Sequence, residues 1–235
     1  MNSNLLVMGL VWYVVFLLST TCHEAAHALV AKLGGDLTAY HGGQVSLDPT
    51  PHIRREPFGM VVIPILSYIM GGWMMGWASA PYDPYWAERH PKRAAWKSLA
   101  GPAANFSLAI LAGVLIHVGL LAGFFQYPDS LGFTHMVRAA SDGAAVGAAT
   151  FLSILFSLNL LLGTFNLIPI PPLDGFTAIG VLLPEELAGR VQALRHTLGN
   201  FTFIGLLIAW KVFDPIFEPL FSVFVKILYP TLSYS

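Results

Sequence analysis

Two histidines and a glutamate lie within one apolar stretch near the start of the chain. His23 and His27 are four residues apart, and Glu24 directly follows the first histidine. On a helix, positions i and i+4 share one face, so both imidazoles can bind one metal ion, with the carboxylate beside the water that the ion activates. Ionisable side chains are costly in an apolar helix and by default mark a functional site there. The pattern also fits a helix end whose histidines lie in the headgroup region.

A catalytic zinc site needs a third protein ligand and an open coordination position. Asp174 is the candidate ligand, because it follows three prolines at the end of the fourth apolar stretch. The prolines break the helix and free backbone groups, which are tolerated at membrane depth only where protein or a water-filled cavity satisfies them. Taken alone, the segment also fits an ordinary helix exit with a Pro-Leu-Asp-Gly turn.

Five apolar stretches must position these residues, and each is near or above the ~20 residues that a helix needs to cross the hydrocarbon core. They are Leu5–Ala31, Phe58–Ala80, Leu99–Phe125, Val146–Ile168 and Phe201–Leu228. Only 11% of all residues are charged, against roughly 25% in a soluble domain, and the mean hydropathy is +0.65. A bilayer must therefore cover much of the surface. The net charge of −1 gives no indication of a nucleic-acid partner.

The segments between and within these stretches predict the remaining elements. Gly34–Asp48 alternates loosely around Gly42-Gly43, which predicts a small β-hairpin. Pro184–His196 predicts a short amphipathic helix on the surface. Acidic-proline pairs at 214–215 and 218–219 interrupt the last stretch, which predicts one span followed by a turn along the interface. The predicted fold is an all-α polytopic membrane protein, a helical bundle with a membrane-associated β-hairpin and a re-entrant segment.

Together, the two metal-binding segments resemble the site-2 protease family of intramembrane zinc metalloproteases. The family motif His-Glu-x-x-His matches His23–His27, and its motif Asn-x-x-Pro-x-Pro-x-x-Asp-Gly matches Asn166–Gly175. A third family element, Gly-Pro-x-x-Asn, matches Gly101–Asn105, where we expect close helix packing near the site. The Gly34–Asp48 segment lies where the family has a membrane-associated β-hairpin. The stretch His52–Gly59, leading to Gly76-Trp77-Ala78, looks like the compact branch of the family without PDZ or CBS domains.

The resemblance implies a Zn²⁺ ion bound by His23, His27 and Asp174, with Glu24 as general base. It also implies a catalytic part for Asn166, which we interpret as a donor to the oxyanion. The implied enzyme is a zinc metalloendopeptidase that hydrolyses peptide bonds of membrane-spanning substrates in regulated intramembrane proteolysis.

The two motifs make a geometric demand on the topology. Both lie at the C-terminal ends of their helices, so these helices must run in the same direction with an odd number of crossings between them. Two apolar stretches lie between, so one must re-enter; we expect Phe58–Ala80, which has Pro64 and Gly71-Gly72 at its middle. The face with both motifs then collects nine basic residues, against Arg138 alone in the opposite loop. The nine are Lys32, Arg54, Arg55, Arg89, Lys92, Arg93, Lys97, Arg190 and Arg195.

This bias predicts a multi-pass protein of the cell membrane whose active site lies towards the cytoplasm. We expect one membrane-embedded metalloprotease domain over 1–235, with a catalytic core at about 5–183 and a C-terminal helical segment at 184–235. Its expected partners are the lipid bilayer and a membrane-spanning protein substrate, and the oligomeric state stays open.

The main alternative is a membrane metal transporter or metal-binding protein that uses the same ligands without hydrolysis. A transporter usually places polar residues along a whole path, and the third and fourth apolar stretches contain few. Further alternatives are an inactive adaptor that binds membrane helices and a zinc protease whose third ligand is a glutamate.

Overall fold

The structure is a computed structural model that describes residues 3–230, except for the side chains of residues 3, 4, 196 and 200. Residues 1–2 and 231–235, which belong to the predicted domain, lie outside the described part. The helices in chain order are α1 (Ser3–Leu33), α2 (Thr38–His41), α3 (Thr50–Arg55), a π-helical turn (Phe58–Val62), α4 (Ile63–Gly71), α5 (Pro84–Arg89), α6 (Pro91–Leu121), α7 (Ala144–Leu167), α8 (Asp174–Ala178), α9 (Glu185–Leu198) and α10 (Thr202–Leu228). Short 3-10 turns, Ile179–Val181 and Gly199–Phe201, precede α9 and α10.

Helices α1, α6 and α7 form the centre of the fold, and each is long and apolar enough to cross a membrane. His27 contacts Lys97 and His23 contacts Asn105, so α6 runs antiparallel to α1. Contacts between α6 and α7 follow the same antiparallel order. Helices α1 and α7 therefore run in the same direction, as the two motifs require.

The interior between the three helices is apolar and tightly packed. Phe16, Ile116, Ile154 and Leu158 belong to one buried cluster that all three helices share. Small buried residues on the face of α6 that packs against α1 and α7 let the helix backbones approach closely. Close approach favours association of membrane helices by van der Waals contact. Most of the buried polar residues of these helices lie towards the end that contains the motif residues, and Ser153 near the other end accepts from Met136 N of the α6–α7 connection.

The second apolar stretch folds back on itself instead of crossing. Five residues of π-helix and nine of α-helix form one short apolar helix, Phe58–Gly71. The chain then returns beside it, because Met75 N donates to Ser67 Oγ at 3.0 Å and Trp77 N donates to Gly59 O at 3.2 Å. Both ends of the segment thus lie at the same end of the bundle, which is the predicted re-entrant shape.

The predicted β-hairpin at Gly34–Asp48 is wrong, because its centre is helix α2. The Asp36 carboxylate accepts hydrogen bonds from N and Oγ of Thr38, at 2.9 and 2.6 Å, and this turn starts the helix. Gly43, with a φ of 75°, follows the helix, and the next amide donates back into it. A Gly-Gly pair at a helix C-terminus gives the same local signal as one in a hairpin turn.

The sheet of the described residues lies elsewhere and is very small. Strand β1 (Phe125–Gln126) pairs antiparallel with β2 (Arg138–Ala139) in the connection between α6 and α7. The predicted fold class, a helical membrane bundle, is confirmed, and the predicted amphipathic helix appears as α9. The position of the strands is the part that the sequence pattern placed wrongly.

The predicted break in the last apolar stretch is also wrong, because α10 continues through both of its prolines. At its start, Gly205 packs on the carbonyl of Pro171, beside the loop that carries Asp174. Beyond its end, the Tyr229 hydroxyl donates to the Met136 carbonyl in the connection that contains the sheet. Anchors at both ends hold α10 along the bundle, and this packing overrides the local preference of proline to break a helix.

Candidate metal centre

Three side chains from distant parts of the chain converge at one point. His23 Nε2 and His27 Nε2 are 3.0 Å apart, and Asp174 Oδ2 lies 3.1 Å from the first and 3.0 Å from the second. Zinc ligands lie at about 2.0–2.1 Å from the metal, and a tetrahedron of that size has edges of roughly 3.3 Å. The three donor atoms therefore fit a single ion of this kind, as predicted from the two motifs.

The local folding of α1 and of the proline segment positions these donors. One turn of α1 places the two imidazoles on the same face. Asp174 is the first residue of α8, and Gly175 after it lies against the end of α7, where an added Cβ would be 2.1 Å from the Leu167 carbonyl oxygen. The glycine thus allows the chain to fold back tightly enough for Asp174 to reach α1.

Hydrogen bonds at the other ring nitrogens determine what the imidazoles offer at the centre. Nδ1 of His27 lies 2.7 Å from the Lys97 carbonyl oxygen, which only accepts, so Nδ1 carries the proton. Nδ1 of His23 lies 2.6 Å from Oδ1 of Asn105 and donates in the same way. In each neutral ring, Nε2 then presents a lone pair.

Two lone pairs and a carboxylate oxygen therefore point at one another at about 3 Å in a buried site. These groups repel one another unless a cation lies between them. Nitrogen and carboxylate oxygen donors in a three-ligand set are typical of catalytic zinc sites. The residues present thus fit the metal that the sequence implies.

Gly101 of α6 forms the wall behind the donors. A Cβ at this position would lie 2.3 Å from His27 Nε2 and 2.5 Å from His23 Nε2. Any side chain here would occupy the space in which the donor atoms meet. The glycine of the Gly-Pro-x-x-Asn element therefore has a site function beyond the helix packing that the sequence suggested.

Comparison with known proteins agrees with this geometry. The model of Peptidase family M50 matches residues 11–209, most of the chain. The chain belongs to peptidase family M50. The resemblance to site-2 proteases drawn from the motifs is thereby confirmed, and with its three apolar helices this M50 peptidase is a membrane protein.

Several curated proteins are similar to this M50 peptidase. "Putative zinc metalloprotease YwhC" of Bacillus subtilis is 31% identical over 225 residues, covering 88% of this chain and 92% of the relative. "Putative zinc metalloprotease Rip2" of Mycolicibacterium smegmatis is 29% identical over 171 residues, covering 73% of this chain and 56% of the relative. The Rip2 protein of Mycobacterium tuberculosis is 32% identical over the same length. No solved structure matches the chain significantly.

The two residues of this M50 peptidase that were predicted to be catalytic, Glu24 and Asn166, lie in different surroundings. Glu24 is buried beside His23, and its carboxylate interacts electrostatically with that imidazole and with Lys97. Asn166 is half-buried, and its side-chain amide donates to the Leu162 carbonyl of its own helix at 3.0 Å. Within residues 3–230 no hydrogen bond joins Asn166 to a donor of the centre, so its catalytic part stays a prediction.

Two groups at the centre were missed from the sequence. The Lys97 carbonyl orients His27, but a backbone carbonyl carries no signal in the residue type. Asn159 hydrogen-bonds to Asn105 behind His23, and it lies outside every motif. A buried amide in the middle of an apolar stretch was the signal available for Asn159, since such groups require a partner.

Proposed function

We propose that this M50 peptidase hydrolyses peptide bonds of membrane-spanning proteins at a zinc ion held by His23, His27 and Asp174. The observation that carries the proposal is the convergence of three metal-binding atoms, at 3.0–3.1 Å from one another, inside a bundle of membrane-spanning helices. The names of the curated relatives as zinc metalloproteases support the same metal and the same reaction. The enzyme is a zinc metalloendopeptidase of the site-2 protease type.

The chain's own residues supply the acid–base chemistry. A zinc ion bound at the centre acts as a Lewis acid and lowers the pKa of a coordinated water towards ~7. Glu24 takes the proton from the attacking water and passes it to the nitrogen of the leaving amine. Asn166 is the proposed donor to the oxyanion, supported by its place in the motif that ends in Asp174.

Burial of the centre favours this chemistry. His23, Glu24 and His27 are all less than a tenth exposed, so bulk water screens their charges little. A substrate helix hides its peptide bonds in internal hydrogen bonds, so it must unwind locally before the scissile carbonyl reaches the donors. Regulated intramembrane proteolysis, in which such a cut releases a membrane-tethered protein, is the proposed biological role.

The proposed topology is a multi-pass cell-membrane protein with the centre towards the cytoplasm. The nine-to-one distribution of basic residues supports this orientation, as does the fold-back of the second apolar stretch. One domain over 1–235 is proposed, with the catalytic core at about 5–183. Single cysteines at Arg54 and Asp129, in a Cys22→Ala background, test the orientation. Impermeant label outside intact cells should reach only position 129.

Cleavage of defined peptides tests the function. Detergent-purified protein is incubated with a panel of membrane-spanning peptides, with and without a zinc chelator, and the cuts are mapped by mass spectrometry. We expect cuts within the membrane-embedded part of the peptides, which the chelator abolishes and added zinc restores. Cuts that persist with the chelator, or that fall only in the soluble flanks, would contradict the proposal.

A further inference from the structure

We infer that Ser19, Asn159 and Asn105 form a directional hydrogen-bond chain that fixes His23 as a metal ligand. Each of these residues comes from a different central helix: Ser19 from α1, Asn159 from α7 and Asn105 from α6. All three are 0% exposed. The inference rests on the metal centre of the proposed function, and it assigns positioning roles to residues behind that centre.

The direction of the chain is set at its far end. The Ser19 hydroxyl donates to the Val15 carbonyl at 2.7 Å, so its only proton is used there. The Asn159 amide nitrogen lies 2.9 Å from Ser19 Oγ and 2.8 Å from the Leu155 carbonyl oxygen. Both of these partners can only accept, so this end of the Asn159 side chain must be the NH₂ group.

The same logic passes through the next two side chains. Oδ1 of Asn159 is an acceptor, and it lies 2.8 Å from the Asn105 amide nitrogen. Oδ1 of Asn105 is then left to face Nδ1 of His23 at 2.6 Å. Two backbone carbonyls on α1 and α7 thus determine, through two amides, that His23 must carry its proton on Nδ1.

The consequence for the centre is a fixed tautomer and a fixed ring. With the proton on Nδ1, the Nε2 lone pair of His23 faces His27 and Asp174, where the metal binds. Partners of this kind behind a ligating histidine typically change metal affinity by 10- to 100-fold. Asn105 and Asn159 are therefore positioning residues, since Asn105 contacts Nδ1 of His23 and not its metal-binding Nε2, and Asn159 acts through Asn105.

The cost of burying these groups supports a functional reason for them. Three polar side chains between apolar helices are costly unless their donors and acceptors find partners. This hydrogen-bond chain satisfies them, and it ends at His23, an imidazole that needs a defined tautomer to bind the metal. By contrast, Ser157 of α7 is also 0% exposed, but its hydroxyl has no hydrogen-bond partner within the described residues.

Zinc affinity, measured by competition with a chromophoric chelator on the purified full chain, tests the inference. Asn105→Leu should weaken zinc binding roughly 10- to 100-fold, because Nδ1 of His23 loses its acceptor. Asn105→Asp keeps the acceptor for Nδ1 of His23 but loses the donor to Asn159, so it should weaken zinc binding clearly less than Asn105→Leu does. Asn159→Leu should weaken binding less than Asn105→Leu, because Asn105 remains but is free to turn.

Ser157→Ala is the matched control for loss of a buried polar group on α7, and it should leave zinc affinity unchanged. The Co²⁺ absorption spectrum gives a second readout, which should change in the two Leu variants and not in the control. If the Leu variants fold and bind zinc as the wild type does, or if Asn105→Asp loses as much as Asn105→Leu, the chain has no positioning role. If Asn105→Leu does not fold, Asn159→Leu decides by the same criterion.

His23→Ala separates this inference from the proposed function. If the wild type and His23→Ala bind zinc equally, the metal centre itself is wrong. If His23→Ala loses zinc while the Leu variants keep it, only the positioning chain is wrong.

Discussion

Gly101 lies so close to His27 that a Cβ on its backbone would come within 2.3 Å of Nε2. Helix α6 thus presents bare backbone to the donor atoms, and the space for an ion lies between that backbone and the imidazoles. The relationship connects a small residue in an apolar helix directly to metal binding.

Gly101→Ala should therefore reduce zinc binding and cleavage together. The added methyl must displace both imidazoles, and misplacement of catalytic groups by about 1 Å costs on the order of 100-fold in rate. Zinc per protein, by mass spectrometry, and the rate of peptide cleavage measure the effect. Gly113→Ala on the same helix is the control, because its nearest neighbours would be 3.6 Å away, an ordinary contact. Equal zinc content in the two variants would show that the wall does not bound the site.

Glu24→Gln should separate metal binding from hydrolysis. The amide is nearly the same size as the carboxylate and cannot accept the proton of the attacking water, so we expect turnover to fall about 10²- to 10⁴-fold. Zinc content should stay at the wild-type level, because Glu24 is not among the three converging donors. Glu186→Gln, at an exposed ion pair on α9, is the control and should have full activity. An active Glu24→Gln variant would exclude the carboxylate as the base.

Chelation should lower the thermal stability of the wild type, and Asp174→Ala should abolish this response. An ion that binds only the folded state, at a free concentration 100 times its Kd, stabilises that state by about 2.7 kcal/mol. Without the carboxylate, the two imidazoles alone hold the ion weakly, so the variant should melt at one temperature with or without chelator. Asp129→Ala, at an exposed ion pair in the connection after α6, should respond as the wild type does. A chelator response retained in Asp174→Ala would remove Asp174 from the ligand set.

The parts of the site that side-chain type and spacing encode could be predicted from the sequence. His23 and His27 share a helix face because of the 3.6-residue period. Because Asp174 must meet them at one depth, the sequence also predicted that the two motif helices run in the same direction and that residues 58–80 fold back. The hairpin at Gly34–Asp48 was predicted wrongly because glycine pairs end helices as well as they close hairpins. The Lys97 carbonyl and the partners of Asn159 depend on tertiary contacts that no local pattern contains.

The last prediction concerns the point in the re-entrant segment where its outgoing and returning backbones pack closely together. Gly59 and Trp77 cross there, and a Cβ on Gly59 would lie 2.2 Å from the Trp77 carbonyl oxygen. Since neither backbone can move without breaking their hydrogen bond, Gly59→Ala should destabilise the protein by about 1–3 kcal/mol, as overpacking typically does. Thermal melting in detergent measures this, and limited proteolysis should show earlier cutting within residues 58–80. Gly147→Ala is the control, because a Cβ at this position in α7 meets nothing within 4 Å. If both variants melt alike, the crossing is not a tight contact in the folded protein.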